Sequence, residues 1–376
     1  MIERIPAEVF PPGEFLADEL EARGWTQVEF AALIRRPTKL VNEIIAGKKA
    51  VTPETAREFA AALGTSPQYW LNLENAYQLW KTKPSSAEKA ISREAGVRQR
   101  FPVRELIKRR WIEASENFEV LEQRIFHFYG GISSVDEEPE LSHAARKNHD
   151  ESFSSFQEAW LFRVKQLATA YRGVPAFSEK KLRETLPELE SLLREPEEIR
   201  EAPKILQDCG VRLVIVEPIP NSRIDGVAFW INDNRSPVIG LTLKGDYIDR
   251  FWFNLRHEIE HVLNGDGKTA IAIDDFDSES QRKSKSEEAA NTAAANFCVP
   301  QNLLDDFIVR HDPMYSTIKF VGFCRIVKRH PGIVAGQLQR KIGRNDLFKK
   351  FQARIREIVT DAALTDGYGK NAPMNI

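Results

Sequence analysis

Within this chain of 376 residues, five consecutive ones have the types and spacing to do chemistry: His257, Glu258, Ile259, Glu260 and His261. They form an HExxH pattern inside an apolar segment, Asp246 to Leu263, that reads as one helix. Four residues advance a helix by about one turn, so His257 and His261 stack on one face. From there two imidazoles can hold a single Zn²⁺. Glu258 sits beside that face, where a carboxylate can act on a water at the metal. A site with open coordination makes hydroxide available near neutral pH, which is the chemistry of a metallohydrolase. The plainer alternative is a surface helix that happens to carry two histidines.

The surroundings favour a rigid site. Tyr247, Phe251, Trp252, Phe253 and Leu255 precede the motif, and Ile259, Val262 and Leu263 continue the apolar pattern. Gly265 after Asn264 is a natural helix stop, and Asp246 with Asp249 would cap the start. Two histidines need a third protein ligand. The run from Glu287 to Phe297 is rich in helix formers and offers Glu287 or Glu288. On a helix, Glu287 shares a face with Ala290, Asn291 and Ala294, whereas Glu288 points about 100° away. Glu287 is therefore the better-placed ligand and Glu288 the alternative. Both acids would also suit a plain helix N-terminus, which favours negative charge.

This order of residues resembles the ImmA/IrrE metallopeptidase family. It runs from short strands to a helix with HEIEH, a polar loop, then Glu-x-x-Ala-Asn and Pro300. The resemblance covers roughly residues 205 to 340, and Pro331 to Gln339 looks like the family's closing segment. It implies zinc held by His257, His261 and Glu287, with Glu258 as general base. The chain departs from the family pattern at Ala293, where a phenylalanine is usual, and at Phe297-Cys298-Val299-Pro300.

Three β-branched stretches precede the zinc helix: Val211–Val216, Gly226–Ile231 and Val238–Leu243. The turn-forming run Asn232–Pro237 separates the last two. A small antiparallel or mixed sheet packed by helices is expected, an α+β arrangement. By analogy with such peptidases, an edge strand would pair with an extended peptide.

Residues 11–79 have a different pattern, with short apolar segments at helical spacing. Thr26 and Thr52-Pro53 are good helix starts, and Gly24, Gly47 and Gly64 are good stops. Such segments joined by tight turns read as a helix-turn-helix domain. Arg35, Arg36, Lys39, Lys48 and Lys49 cluster about the third segment against the single acid Glu43. That cluster suits phosphate contacts, and Asn42 can read a base edge. An ordinary solvated face would carry the same charges. Thr26-Gln27, Asn42-Glu43-Ile44-Ile45, Gly47-Lys48-Lys49, Thr52 to Ala56 and Trp70 to Leu73 resemble the HigA/VapI branch of the XRE-type helix-turn-helix proteins, almost continuously from Phe10 to Trp80. Members of that branch are antitoxins that repress their own operons. The resemblance implies double-stranded operator DNA as a partner, contacted by Arg36, Thr38, Lys39, Asn42, Lys48 and Lys49. A single helix-turn-helix implies a homodimer on a pseudo-palindrome. Arg35 stands where the branch commonly has a turn glycine, so local strain is expected there.

The expected organisation is mainly α with one α+β domain. A helix-turn-helix bundle spans 1–82, a helical connecting region 83–202 and a zincin-like domain with a small sheet 203–345. A C-terminal helix and tail occupy 346–376. The connecting region opens on the linker signal Pro84-Ser85-Ser86 and carries a basic run from Lys89 to Arg110, which reads as a solvated face or an extension of the DNA footprint. Phe153 to Ala168 suggests a buried helix, Ser133 to Glu140 an acidic loop, and Leu347, Phe351, Ile355 and Ile358 an amphipathic helix. The net charge of −2 confines any DNA affinity to local patches. There is no membrane-spanning apolar run and no leader pattern at Met1. Three widely spaced cysteines, Cys209, Cys298 and Cys324, suggest neither disulfides nor a thiolate metal site, which points to the cytoplasm. Two function classes follow. One is a DNA-binding regulator with a built-in zinc endopeptidase that cleaves a regulatory protein; the other is a non-enzymatic antitoxin that masks a toxin.

Overall fold

A computed structural model describes residues 9–82, 85–139, 153–268, 271 and 285–366. Pro84, Glu140 and the tail beyond Asp366 lie outside the described residues. The chain divides into two compact units, Met1–Arg93 and Glu94–Ile376.

Among the described residues, five helices lie wholly within the first unit: α1 (Pro12–Arg23), α2 (Gln27–Leu33), α3 (Thr38–Ile45), α4 (Pro53–Leu63) and α5 (Pro67–Lys81). Their ends follow local chemistry. Thr26 and Thr52 each close a capping box, Ser66 caps α5, and Gly24 and Gly64 stop α1 and α4 in the left-handed conformation. Phe59 joins the helices, its ring 5.4 Å from both Phe30 and Trp70, above Leu16, Val41 and Ile44. Gly13 admits the close α1–α3 contact, since a Cβ there would fall 2.1 Å from the Ile44 carbonyl oxygen. In the turn between α2 and α3, Arg35 takes φ 56°, the conformation that a glycine would adopt without strain.

In the second unit, α6 (Ser86–Arg100, begun in the first), α7 (Val103–Lys108), α8 (Phe118–Phe128) and α9 (Ser155–Ala170) precede α10 (Glu179–Ser191) and α11 (Ala202–Asp208). Then come β1 (Arg212–Ile215), β2 (Gly226–Ile231), β3 (Ser236–Leu241) and the long helix α12 (Ile248–Asn264). Four helices follow, α13 (Lys285–Cys298), α14 (Gln301–His311), α15 (Thr317–Val327) and α16 (Pro331–Ile342). The short α17 (Arg356–Thr360) and β4 (Leu364–Thr365) end the described chain.

The sheet is mixed, in the order β2-β3-β1-β4. Strand β1 runs parallel to β3 and β4, and β2 pairs antiparallel with β3. Alternation along β1 splits the core. Leu213 and Ile215 face the cluster containing Trp252, Leu255 and Ile259 of α12, while Val214 and Val216 face Trp160 and Val164 of α9. Gly240 on β3 sits beneath α9, where a Cβ would meet Val164 at 2.9 Å and Trp160 at 3.1 Å. Residues expected in a connecting region thus build one face of the second core: the Trp160 indole donates to the Val216 carbonyl at 3.0 Å. Arg109, from the basic run, is buried and donates to the carbonyls of Glu217 and Pro218 at 2.7 Å each. Arg100 pairs with buried Glu158. Arg109 is an internal clamp and Arg100 a half-buried one, so neither belongs to a fully solvated face.

Two local expectations are corrected. Tyr247, not Asp246, occupies the N-cap position of α12, and no side chain caps that end. The Asp246 carboxylate instead accepts from the Ile355 and Arg356 amides at 3.0 and 2.6 Å, fixing the start of α17. The stretch from Leu347 to Ile358 is not one helix, since a 3₁₀ turn at Lys349–Phe351 and α17 flank an extended break. There the Ile248 amide donates to the Ala353 carbonyl, and Tyr247 bridges to Arg354.

Candidate metal centre and nucleic-acid interface

α12 positions both histidines. Gly265 ends it with φ 74°, and His257 and His261 are 0% and 7% exposed. α13 packs against it through fully buried Ala290 and Ala294, and through Phe297, whose ring lies 6.1 Å from Trp252. Small side chains on that face let the helices approach, and the same face carries Glu287. Glu288 is exposed.

The Nε2 atoms of His257 and His261 lie 2.9 Å apart. The Glu287 carboxylate places one oxygen 3.4 Å from each of them, Oε2 by His257 and Oε1 by His261. A tetrahedral ion with bonds of about 2.05 Å has ligand–ligand edges of about 3.3 Å. Both carboxylate edges match this, and the two imidazoles need to part by a few tenths of an ångström. Two imidazole nitrogens and one carboxylate form a donor set suited to zinc, with a position left for water or substrate. Among the described residues this trio is the one His/Cys/Asp/Glu group able to hold a metal ion.

Asp266 and Ser286 escaped the sequence reading. Asp266 Oδ2 lies 2.9 Å from His261 Nδ1 and also accepts a hydrogen bond from the Ser286 hydroxyl. A carboxylate on Nδ1 fixes the tautomer that presents Nε2 to a metal and raises its basicity. The clue in the sequence was slight: an acid just past the helix-stopping glycine. Glu258 is fully buried and lies over Gly226 at the start of β2, where a Cβ would be 2.2 Å from its Oε1. Glycine at that strand position leaves room for the Glu258 carboxylate. Beyond the histidines, the Phe253 ring stacks on His257 with centroids 6.3 Å apart, and Arg340 of α16 sits 3.9 Å above Phe253. Asp249, one turn before Phe253, is pressed beneath Gly336, and burial raises its carboxyl pKa.

In the first unit, α3 buries Val41 and Ile44 and turns Lys39 and Asn42 outward on one face. Lys39 is 83% exposed, Lys48 and Lys49 are exposed beyond the helix end, and Thr38 at the helix start is half-buried. Arg36 differs. Its guanidinium bonds both Glu58 oxygens at 2.8 to 3.1 Å and pairs with Glu54 at 2.7 Å, tying the turn to α4. Those acids hold the Arg36 pKa above its ordinary value.

Residues 16–70 match the helix-turn-helix family, and residues 208–325 match the IrrE N-terminal-like domain of the M78 peptidases. Over 80 residues the chain is 34% identical to the uncharacterized HTH-type transcriptional regulator YddM of Escherichia coli K12, covering 21% of this chain and 80% of that protein. Over 79 residues it is 37% identical to antitoxin HigA-1 of Vibrio cholerae, covering 21% and 74%. Among solved structures it is similar to the Pseudomonas aeruginosa antitoxin HigA with the higBA promoter. That match is 27% identical over 20% of this chain and 82% of that one, with a TM-score of 0.19. The chain belongs, through its first unit, to the XRE-type helix-turn-helix proteins with HigA antitoxin homologues, and its second unit carries an IrrE/ImmA-like M78 peptidase domain. No described helix is long and apolar enough to cross a membrane.

Proposed function

We propose that this protein is a cytoplasmic DNA-binding regulator with a built-in zinc-dependent endopeptidase that cleaves a regulatory protein. The observation that carries the reading is the convergence of His257, His261 and Glu287 from two helices, with buried Glu258 next to His257 in the sequence of the first helix. The three ligands would hold a divalent ion such as Zn²⁺. When bound, that ion supplies Lewis acidity that lowers the pKa of water toward neutrality and polarises a peptide carbonyl. Glu258, walled off by β2, takes the proton from the attacking water and delivers it to the leaving amine. Asp266 holds the imidazole of His261 in the ligating tautomer. In the first unit, Thr38, Lys39, Asn42, Lys48 and Lys49 face operator DNA, and a homodimer reads a pseudo-palindrome. Arg36 supports that surface from behind.

The similarity to HigA-1 favours a second reading, in which the protein is a non-enzymatic antitoxin and autorepressor. Glu258→Gln separates the two. Glutamine fills the same volume, so metal and DNA binding stay near wild type, while hydrolysis falls by about 10² or more. On the peptidase reading, a strain carrying Glu258→Gln stays repressed under the inducing condition. Normal derepression in that strain would reject the peptidase as the working function.

A further inference from the structure

We infer that Arg212 and Arg172 form a binding site for a phosphate-class oxyanion on the sheet face opposite the HExxH helix. Arg212 opens β1 and has the same parity as Val214 and Val216, so its side chain projects toward α9. An apolar side chain would be expected at that position of a strand buried along its whole length. Arg212 is only 9% exposed, and its Nε and Nη1 atoms are inaccessible and without a hydrogen-bond partner. Buried guanidinium groups are normally paired, and one left unsatisfied calls for a specific cause, such as a missing ion.

Neither Arg212 nor Arg172 forms an ion pair among the described residues. Burial, and then the like charge of Arg172, hold the Arg212 pKa below its ordinary value. Arg172 follows the end of α9 and is exposed. The hydroxyl of Tyr171, the residue before Arg172, donates to Gln207 of α11 at 3.0 Å, which pins this segment in place. The exposed Arg172 guanidinium is thus within electrostatic reach of Arg212, which is buried but for 9% of its surface. Guanidinium forks match phosphate oxygens with paired hydrogen bonds, and a dianion neutralises both charges where a monocarboxylate leaves one over. A regulator that answers a chemical signal has a use for such a site away from its metal centre.

The test uses the full chain with EDTA present, so that phosphate cannot act through a metal ion. Thermal unfolding is followed against inorganic phosphate, with chloride at equal ionic strength as the reference and acetate and glycerol phosphate as further arms. Wild type should show a saturable rise in Tm with phosphate and little with acetate. Arg212→Met should lose that response and, in chloride, unfold at a higher temperature than wild type, because an unpaired buried charge has gone. Arg172→Ala, an exposed change that the fold tolerates, should weaken the apparent phosphate affinity by about tenfold. A glycerol phosphate response equal to that of phosphate supports an ester as the ligand, and its absence supports the free ion. No phosphate response beyond chloride in wild type would overturn the assignment. So would an undiminished phosphate affinity in Arg172→Ala, which also decides the matter if Arg212→Met fails to fold.

Discussion

Replacing Asp266 by alanine removes the acceptor 2.9 Å from His261 Nδ1 and leaves the Ser286 hydroxyl without its partner. Loss of such an outer partner typically costs 10- to 100-fold in metal affinity. Asp266 is 39% exposed, so water can take over part of the hydrogen bond to the imidazole. The expected loss therefore lies at the lower end, about tenfold in zinc Kd or about 1.4 kcal/mol. Asp266→Asn retains an acceptor oxygen without the charge, and the loss there should be about threefold. Competition against a chromophoric chelator measures both values directly. A change under about twofold for Asp266→Ala would show that His261 needs no orienting partner. A loss as complete as that of His261→Ala would make Asp266 a ligand instead, contrary to the geometry.

Further outcomes follow from other contacts. Gly226→Ala should lower Tm by several degrees, because its methyl would land on the Glu258 carboxylate and overpacking costs about 1–3 kcal/mol; an unchanged Tm in a calorimetric scan would mean that Glu258 moves aside freely. Asp246→Ala should cost about 1 kcal/mol, the usual value of a helix cap, by freeing the amides of Ile355 and Arg356; equal denaturation midpoints in urea would contradict the capping role. Lys39→Ala should reduce the salt slope of operator binding by about 1, whereas Arg36→Ala should lower the Tm of the first unit and leave that slope alone. A slope change confined to Arg36→Ala would reverse the two assignments.

The legible parts of the chain were those governed by local periodicity. The apolar pattern and Gly265 bounded α12 to within two residues of its observed ends, and helical spacing alone ranked Glu287 above Glu288. The turn before α3 could be anticipated as well, because the resemblance implies a turn glycine's conformation at Arg35, and Arg35 does take the left-handed conformation. What failed depends on distant partners. Leu347 to Ile358 has helical spacing, yet Asp246 and the backbone of Ile248 hold its middle extended. Arg100 and Arg109 carry the signature of a solvated run, but acceptors some 58 and 108 residues away draw them inside. Asp266 was only faintly signalled for the same reason: a loop residue gains its role only when a helix presents the second imidazole nitrogen.

The central claim, that His257, His261 and Glu287 hold one divalent ion, is tested most directly by measuring the metal content of purified full-length variants. One zinc per chain is expected in wild type and in His127→Ala and His311→Ala. None is expected in the His257→Ala, His261→Ala double variant, and Glu287→Ala should lose far more than Glu288→Ala. Full zinc content in the double variant, or a greater loss at Glu288 than at Glu287, would contradict the site.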